Sequence, residues 1–156
     1  MDLKAVCPLS TLEDTENLAK KIASNIKTGD SILLFGPLGV GKTSFARALI
    51  RSACKNKWME VPSPSFTLVQ IYDSPDFCLY HYDLWRLKSE EELLELDWDE
   101  AQENIVIVEW PERLGALMPK HALHVHFSIK PDKTRLAILS HWDERLKLLF
   151  NPQINQ

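Results

Sequence analysis

The chain has the length and composition of one globular domain, with 156 residues of which 45% are hydrophobic and 26% are charged. No apolar run approaches the roughly 20 residues of a membrane-spanning helix, and Met1 to Ala5 do not begin a secretory signal. We therefore expect a cytoplasmic protein without membrane attachment. The net charge of −4 argues against a chain that holds nucleic acid alone, because proteins that bind phosphate backbones usually carry a basic stripe.

The first part of the chain predicts a strand, a helix and a second strand. Leu3 to Cys7 has the pattern of a short strand, and Ser10 with Glu13 has the spacing of a capping box that begins a helix. We expect this helix to end near Gly29, since glycine is a common helix C-cap. The apolar run Ser31 to Phe35 then predicts a buried strand.

A glycine-rich loop follows that strand and matches the pattern G-x-x-x-x-G-K-[ST] of a phosphate-binding P-loop. Its glycines let backbone N–H groups point at phosphate oxygens, and the helix predicted over Thr43 to Cys54 adds the positive end of its dipole. In this pattern Lys42 reaches the β- and γ-phosphates, and the Thr43 hydroxyl binds Mg²⁺. A strand before the loop and a helix after it are the context that the motif requires.

The middle of the chain predicts an ordered loop, a hairpin and a short helix. Two prolines exclude a helix from Val61 to Phe66. The β-rich runs Thr67 to Tyr72 and Phe77 to Tyr82 flank a turn and predict a hairpin. Ser89 with Glu92 repeats the capping-box spacing at the start of an acidic helix.

The last third predicts a buried strand, a second hairpin and a final helix. Ile105 to Val108 is a β-branched run typical of a parallel strand buried on both faces. The alternating segments His121 to Ile129 and Thr134 to His141 predict an antiparallel hairpin at the sheet edge, and Trp142 to Phe150 a helix. We therefore predict an α/β fold: one P-loop NTPase domain over residues 1–150, with a mixed, mostly parallel sheet flanked by helices, and a frayed tail over residues 151–156.

Two acidic residues are candidates for the chemistry that a P-loop alone does not supply. Glu109 follows the buried strand, at the end that opens onto the phosphate loop in α/β domains, although a solvated strand-end glutamate is the alternative. Asp83 closes the preceding hairpin and could instead cap the next turn. Either acid could orient the attacking water. Trp110 could shield the site or report nucleotide state, or could simply pack in the core.

Four segments together resemble the bacterial TsaE family, also called YjeE. They are Gly36 to Thr43, Ser63-Pro64-Ser65-Phe66, His81-Tyr82-Asp83-Leu84-Trp85-Arg86 and Glu109-Trp110. The similarity extends from about Ser10 to about Leu139 in the order and spacing of the family. Its members are small P-loop ATPases required for making threonylcarbamoyladenosine in tRNA.

The resemblance implies ATP and Mg²⁺ as cofactors, with Lys42 and Thr43 serving them and Glu109 as the second magnesium-side acid. It also implies that Asp83 and Trp110 matter for activity. The implied partners are the TsaD and TsaB proteins: TsaD performs the threonylcarbamoyl transfer, ATP hydrolysis resets the complex, and tRNA is reached only through that complex. We therefore predict Asp83, Glu109 and Lys42 as catalytic residues and Thr43 and Glu109 as metal ligands. The predicted nucleotide-binding residues are Gly36, Pro37, Leu38, Gly39, Val40, Gly41, Lys42, Thr43, Ser44 and Trp110.

Three positions differ from the family pattern. Ser65 stands where the family usually has Thr, and Trp85 stands where it usually has Tyr. Lys133-Thr134-Arg135 occupies the place where members often carry Gly-Arg.

Two other functions fit a P-loop domain of this size. A small-molecule kinase would pass the γ-phosphoryl group to a hydroxyl acceptor, but the chain shows no arginine-rich lid segment. A nucleotide-sensing switch would bind ATP without useful turnover, and the two acids at strand ends argue mildly against it. ATP is favoured over GTP by the resemblance together with the lack of the Asn-Lys-x-Asp stretch of GTPases.

Overall fold

The computed structural model describes residues 3–150, so the predicted tail over residues 151–156 lies outside the described residues. The strands and helices include most of the predicted elements. In chain order they are β1 (Lys4–Leu9), α1 (Leu12–Ala23), β2 (Ser31–Phe35), α2 (Lys42–Ala53), β3 (Val69–Asp73), β4 (Cys78–Asp83), α3 (Glu90–Glu95), α4 (Trp98–Ala101), β5 (Ile105–Glu109), a 3₁₀ segment (Pro111–Leu117), β6 (Leu123–Ile129), β7 (Arg135–Ser140) and α5 (Asp143–Phe150).

A seven-stranded mixed sheet carries these elements in the order β1-β7-β6-β2-β5-β4-β3. Strands β6, β2, β5 and β4 run parallel to one another, and β3, β7 and β1 join through antiparallel pairings. This architecture confirms the predicted α/β domain with a mixed sheet. The hairpin β6–β7 forms as predicted, but β1 pairs with β7, so β1 lies at that edge outside the hairpin. Alternating polarity identifies a strand without identifying its neighbours.

Helices cover both faces of the central strands, because those strands are apolar on both sides. In β2, Ile32 and Leu34 face α1 and α2, while Leu33 faces the opposite layer, and all three are 0% exposed. Phe45 of α2 lies in the first layer. The second layer is formed by buried side chains of α3, α4 and the 3₁₀ segment, namely Leu93, Trp98 and Leu114. None of the helices within residues 3–150 is both long and apolar enough to cross a membrane.

The cap of α1 lies one residue later than predicted. The predicted pair was Ser10 and Glu13, but the Thr11 hydroxyl accepts a hydrogen bond from the Asp14 N–H at 3.1 Å. The Asp14 carboxylate in turn accepts from the backbone N–H groups of Thr11 at 3.1 Å and Ser10 at 2.9 Å. Both pairs have capping-box spacing, and the shorter aspartate reaches two backbone donors at once.

The end of α1 also differs from the prediction. The helix ends at Ala23, and Ser24 caps it with right-handed backbone angles. Gly29, predicted near the helix end, instead lies in the loop before β2 with a φ of +97°. Its N–H donates to the Asn104 carbonyl at 2.9 Å. Gly29 therefore links the segments that precede β2 and β5.

Arg145 holds α5 against the loop that precedes β2. Its Nη1 and Nη2 atoms donate to the two carboxylate oxygens of Asp30, each at 2.8 Å, and its Nε donates to the Asn25 side chain at 2.7 Å. The guanidinium also lies 3.6 Å from the centroid of the Trp142 ring. Because a planar guanidinium matches a carboxylate with two parallel hydrogen bonds, this contact is a specific anchor.

We predict that Arg145→Met lowers the free energy of unfolding by about 2–3 kcal/mol, because it leaves a buried carboxylate without its charged partner and with only the Lys27 N–H as a donor. Asp30 is only 7% exposed. Urea unfolding monitored by circular dichroism measures this change.

The matched control is Lys147→Met, on the same helix. Lys147 contacts Glu144 at 3.3 Å, but both side chains are largely exposed, so we expect a change of about 0.5 kcal/mol or less. Equal losses for the two variants would contradict the anchoring role of Arg145.

Candidate functional site

The parallel strands bring the predicted functional residues to one end of the sheet. The glycine loop follows β2, Asp83 ends β4 and Glu109 ends β5. Asp83 lies opposite Glu109 in the ladder, and Glu109 lies opposite Leu34 of β2. The carboxyl ends of neighbouring parallel strands open onto one crevice. The loop and both acids therefore share a site, as expected from the sequence.

The glycine loop has a backbone that side chains would obstruct. Gly36, Gly39 and Gly41 have φ values of +146°, +79° and +112°, a region that residues with a Cβ rarely occupy. A Cβ at Gly36 would also lie 2.9 Å from the Phe127 carbonyl oxygen. Helix α2 begins at Lys42, directly after the loop. Backbone N–H groups at a helix start after such a loop form an anion-binding site.

Lys42 is a buried cation at the base of this loop, with only 4% of its surface exposed. Its Nζ donates to the Gly36 carbonyl at 2.6 Å and lies 3.3 Å from the centroid of the Trp110 ring. Burial lowers the pKa of Lys42, and the nearby Glu109 carboxylate opposes that effect. The ammonium is thus held by a carbonyl oxygen and an aromatic face, both of which are weaker partners than a phosphate.

Glu109 connects α2 and β4 through its two carboxylate oxygens. Oε1 accepts from the Thr43 hydroxyl at 2.8 Å, and Oε2 lies 2.7 Å from His81 Nε2. Glu109 is 2% exposed and His81 is 0% exposed. A carboxylate beside a hydroxyl is the kind of oxygen donor set that suits Mg²⁺. The residues present therefore fit a magnesium ion at Thr43 and Glu109.

Asp83 is a second buried acid, held in place by the backbone. Its Oδ1 accepts from the Trp85 N–H at 3.0 Å, and its own N–H donates to the Leu68 carbonyl at 2.9 Å. Burial raises the pKa of Asp83, the negative charge of Glu109 raises it further, and the hydrogen bond from Trp85 opposes both effects. A carboxyl with a raised pKa in a cleft is typical of a functional group.

These groups surround a cleft of about 340 Å³. Seven of the predicted nucleotide-binding residues line it together with both acids, whereas Gly36, Pro37 and Val40 shape the loop without lining the cleft. The cleft is lined by Leu38, Gly39, Gly41, Lys42, Thr43, Ser44, Ser63, Ser65, Asp83, Trp85, Glu109, Trp110 and Arg135. A larger cavity of about 530 Å³ lies between the ends of α1 and α2 and the β3–β4 turn, away from the glycine loop.

Two residues without a predicted role also belong to the site: His81 contacts Glu109, and Arg135 lines the cleft. Arg135 begins β7, and its Nη1 would lie 3.3 Å from a Cβ on Gly41. Only the pairing of β7 with β6, and of β6 with β2, brings it near the loop. The sequence did contain a sign of the role of His81. Residues two apart in a strand point to the same face, and His81 lies two positions before Asp83 in β4.

Two other arginines, each close in sequence to one of the candidate acids, pack on aromatic rings. Arg86 stacks on the Phe66 ring at 4.5 Å, and Arg113 lies 5.6 Å from the Trp85 ring. Neither lines the cleft. Among the arginines within residues 3–150, Arg135 is the one that does.

We predict that Asp83→Asn raises the melting temperature of the nucleotide-free protein at neutral pH. A raised pKa means that the fold disfavours the carboxylate, so the wild type loses stability as pH rises above the ordinary aspartate value of 3.8. Asparagine keeps the oxygen that accepts from Trp85 and carries no charge. For a domain of this size, each kcal/mol gained raises the melting temperature by about 2–4 °C.

Thermal unfolding at pH 7 and near pH 3, compared between the two proteins, checks this prediction. The difference should shrink at the lower pH, where Asp83 is protonated in both folded and unfolded wild type. A lower melting temperature for the variant at pH 7 would contradict it.

The chain matches the family model described as threonylcarbamoyl adenosine biosynthesis protein TsaE over residues 9–137. It is 41% identical over 130 residues to the tRNA threonylcarbamoyladenosine biosynthesis protein TsaE of Rickettsia typhi, a match covering 83% of this chain and 90% of that one. The Bacillus subtilis protein of the same name is 30% identical over 137 residues, covering 88% and 85% of the two chains.

The fold is also similar to a crystal structure of YdiB from Bacillus subtilis. The two chains superpose with a TM-score of 0.74 over 96% of this chain and 93% of YdiB, at 23% identity. This similarity extends over nearly the whole of both chains and supports the single-domain architecture described above.

Proposed function

Because the chain belongs to the TsaE family and shares its role in tRNA threonylcarbamoyladenosine biosynthesis, we propose that its own contribution is Mg²⁺-dependent hydrolysis of ATP. The main observation behind this proposal is the hydrogen bond from the Thr43 hydroxyl to Glu109 at 2.8 Å. Thr43 directly follows a glycine loop that ends in the buried Lys42. This arrangement joins an anion-binding loop to a carboxylate and hydroxyl that suit a divalent cation.

Positive charge in the cleft would stabilise the phosphates. Lys42 is already desolvated, so its attraction for a phosphate oxygen is stronger than that of an exposed lysine. In the proposed complex its ammonium exchanges the Gly36 carbonyl and the Trp110 ring for phosphate oxygens. Arg135 adds a second cation close to Gly41. A bound Mg²⁺ would neutralise charge that develops on the phosphates during transfer.

Thr43 and Glu109 would hold the metal, and Asp83 would face the remaining part of the cleft. Both acids are within the lining, so either could accept the hydrogen bond that orients an attacking water. The raised pKa of Asp83 favours it as the acid that exchanges a proton. Each carboxylate oxygen of Glu109 already has a hydrogen-bond partner.

We propose TsaD- and TsaB-type proteins as partners, with tRNA reached only through them in the cytoplasm. Large apolar side chains around the cleft support a protein partner there. Leu38 is 82%, Phe66 81% and Trp85 49% exposed, and exposed apolar side chains that cluster at one place often mark an interaction surface. Their position would make partner contact sensitive to the nucleotide.

Phosphate release from ATP, measured with the protein alone and with TsaD and TsaB added, tests this function. We expect Lys42→Ala and Glu109→Ala each to lower turnover by about 100- to 1000-fold, as removal of one transition-state contact does. Glu103→Ala is the control, because Glu103 is exposed in the segment before β5.

The outcomes of this assay separate the alternatives. Label transferred from the γ-phosphate to a small acceptor would indicate a kinase, and ATP binding without release would indicate a switch. Turnover and complex formation that do not respond to TsaD and TsaB would contradict the proposed partners.

Thr43→Ala gives a separate prediction about the metal. We expect it to weaken binding of Mg²⁺-ATP by about 10- to 100-fold while changing metal-free nucleotide binding far less, because the hydroxyl serves the cation. Isothermal titration calorimetry with and without Mg²⁺ measures both affinities. Equal losses in the two conditions would show that Thr43 contacts only the nucleotide.

A further inference from the structure

We propose that His81 is a positioning residue that fixes the Glu109 carboxylate for the metal, an inference that rests on the proposed binding of Mg²⁺-ATP in the cleft. His81 lies on β4 and is completely buried. Its Nε2 atom is 2.7 Å from Glu109 Oε2. This contact joins β4 to the carboxyl end of β5, within the sheet that forms the floor of the site.

The surroundings of the ring identify which nitrogen carries the proton. His81 Nδ1 is buried and has no hydrogen-bond partner within residues 3–150. An N–H at that position would be desolvated without an acceptor, at a cost of about 1–3 kcal/mol. A lone pair on Nε2 would also face the carboxylate lone pairs. We infer that the proton is on Nε2 and that the imidazole donates it to Glu109.

Glu109 then receives one donor on each oxygen, from two different elements. Oε2 accepts from His81 of β4, and Oε1 accepts from the hydroxyl of Thr43 in α2. Two fixed donors restrict rotation of the carboxylate about its last side-chain bond. The Thr43 proton points at Glu109, so the lone pairs of the hydroxyl oxygen stay free for a cation. Metal ligands are commonly oriented in this way by residues that do not touch the metal.

The alternative is that His81 is only a packed residue of the core. The two roles differ in what the imidazole must supply, because packing needs volume whereas positioning needs an N–H at Nε2. Glutamine places its amide nitrogen near the position of histidine Nε2 and can keep that donor. Leucine has a similar volume and no donor. Comparison of the two replacements therefore separates positioning from packing.

The test measures the equilibrium affinity for ATP, with and without Mg²⁺, for the wild type, His81→Leu and His81→Gln. The control is Tyr82→Phe on the same strand, which removes a partly buried hydrogen bond from the Tyr82 hydroxyl to the Leu96 carbonyl. We expect His81→Leu to reduce the gain in affinity caused by Mg²⁺ by about 10-fold or more. It should change metal-free binding by less than about 2-fold, and His81→Gln should restore most of the gain. Tyr82→Phe should leave the gain unchanged.

Equal losses with and without Mg²⁺, or equal behaviour of His81→Leu and His81→Gln, would overturn the proposal. If the wild type itself gains no affinity from Mg²⁺, the proposed ATPase function fails rather than the role of His81. Nitrogen-15 NMR of the histidines in the wild type at neutral pH is the second measurement, and it does not depend on a folded variant. We expect this measurement to place the His81 ring proton on Nε2. A proton on Nδ1 would overturn the proposal.

Discussion

The hydrogen bond between the Thr43 hydroxyl and the Glu109 carboxylate joins the helix after the glycine loop to the central strand β5. Its two residues are 66 positions apart in the chain and meet because β2 and β5 are parallel neighbours. Two other polar groups of the site lie beside this pair. Lys42 precedes Thr43, and Asp83 lies opposite Glu109 in the ladder. The proposed metal site therefore follows directly from the order of the strands.

The site concentrates polar groups that folding alone would avoid burying. Lys42, His81, Asp83 and Glu109 are each at most 6% exposed, and charges placed in such surroundings are costly unless they are paired. Partners are present for each, but for Lys42 they are a carbonyl oxygen and an aromatic ring. Burial also acts on proton affinity, since it lowers the pKa of Lys42 and raises that of Asp83. On the proposed function, a bound anion and cation would relieve this cost.

Local patterns in the sequence were sufficient for most of the fold and for the central pair of the site. The loop motif located Lys42 and Thr43, and a β-branched run ending in an acid located Glu109. The N-cap of α1 is one residue later than predicted, because Thr11 and Asp14 have the same spacing as the predicted pair. Arg135 could not be assigned, because strand order determines its approach to the loop. His81 could have been found from alternation in β4, but burial and its contact with Glu109 appear only in three dimensions.

A crystal structure with Mg²⁺ and a non-hydrolysable ATP analogue would test the proposed site. We expect the triphosphate to lie along the glycine loop and Lys42 Nζ to leave the Gly36 carbonyl and the Trp110 ring for phosphate oxygens. We also expect Thr43 to contact the metal while its hydrogen bond to Glu109 persists. A nucleotide bound elsewhere, or a Lys42 ammonium that keeps its present partners, would contradict the proposed role of this loop.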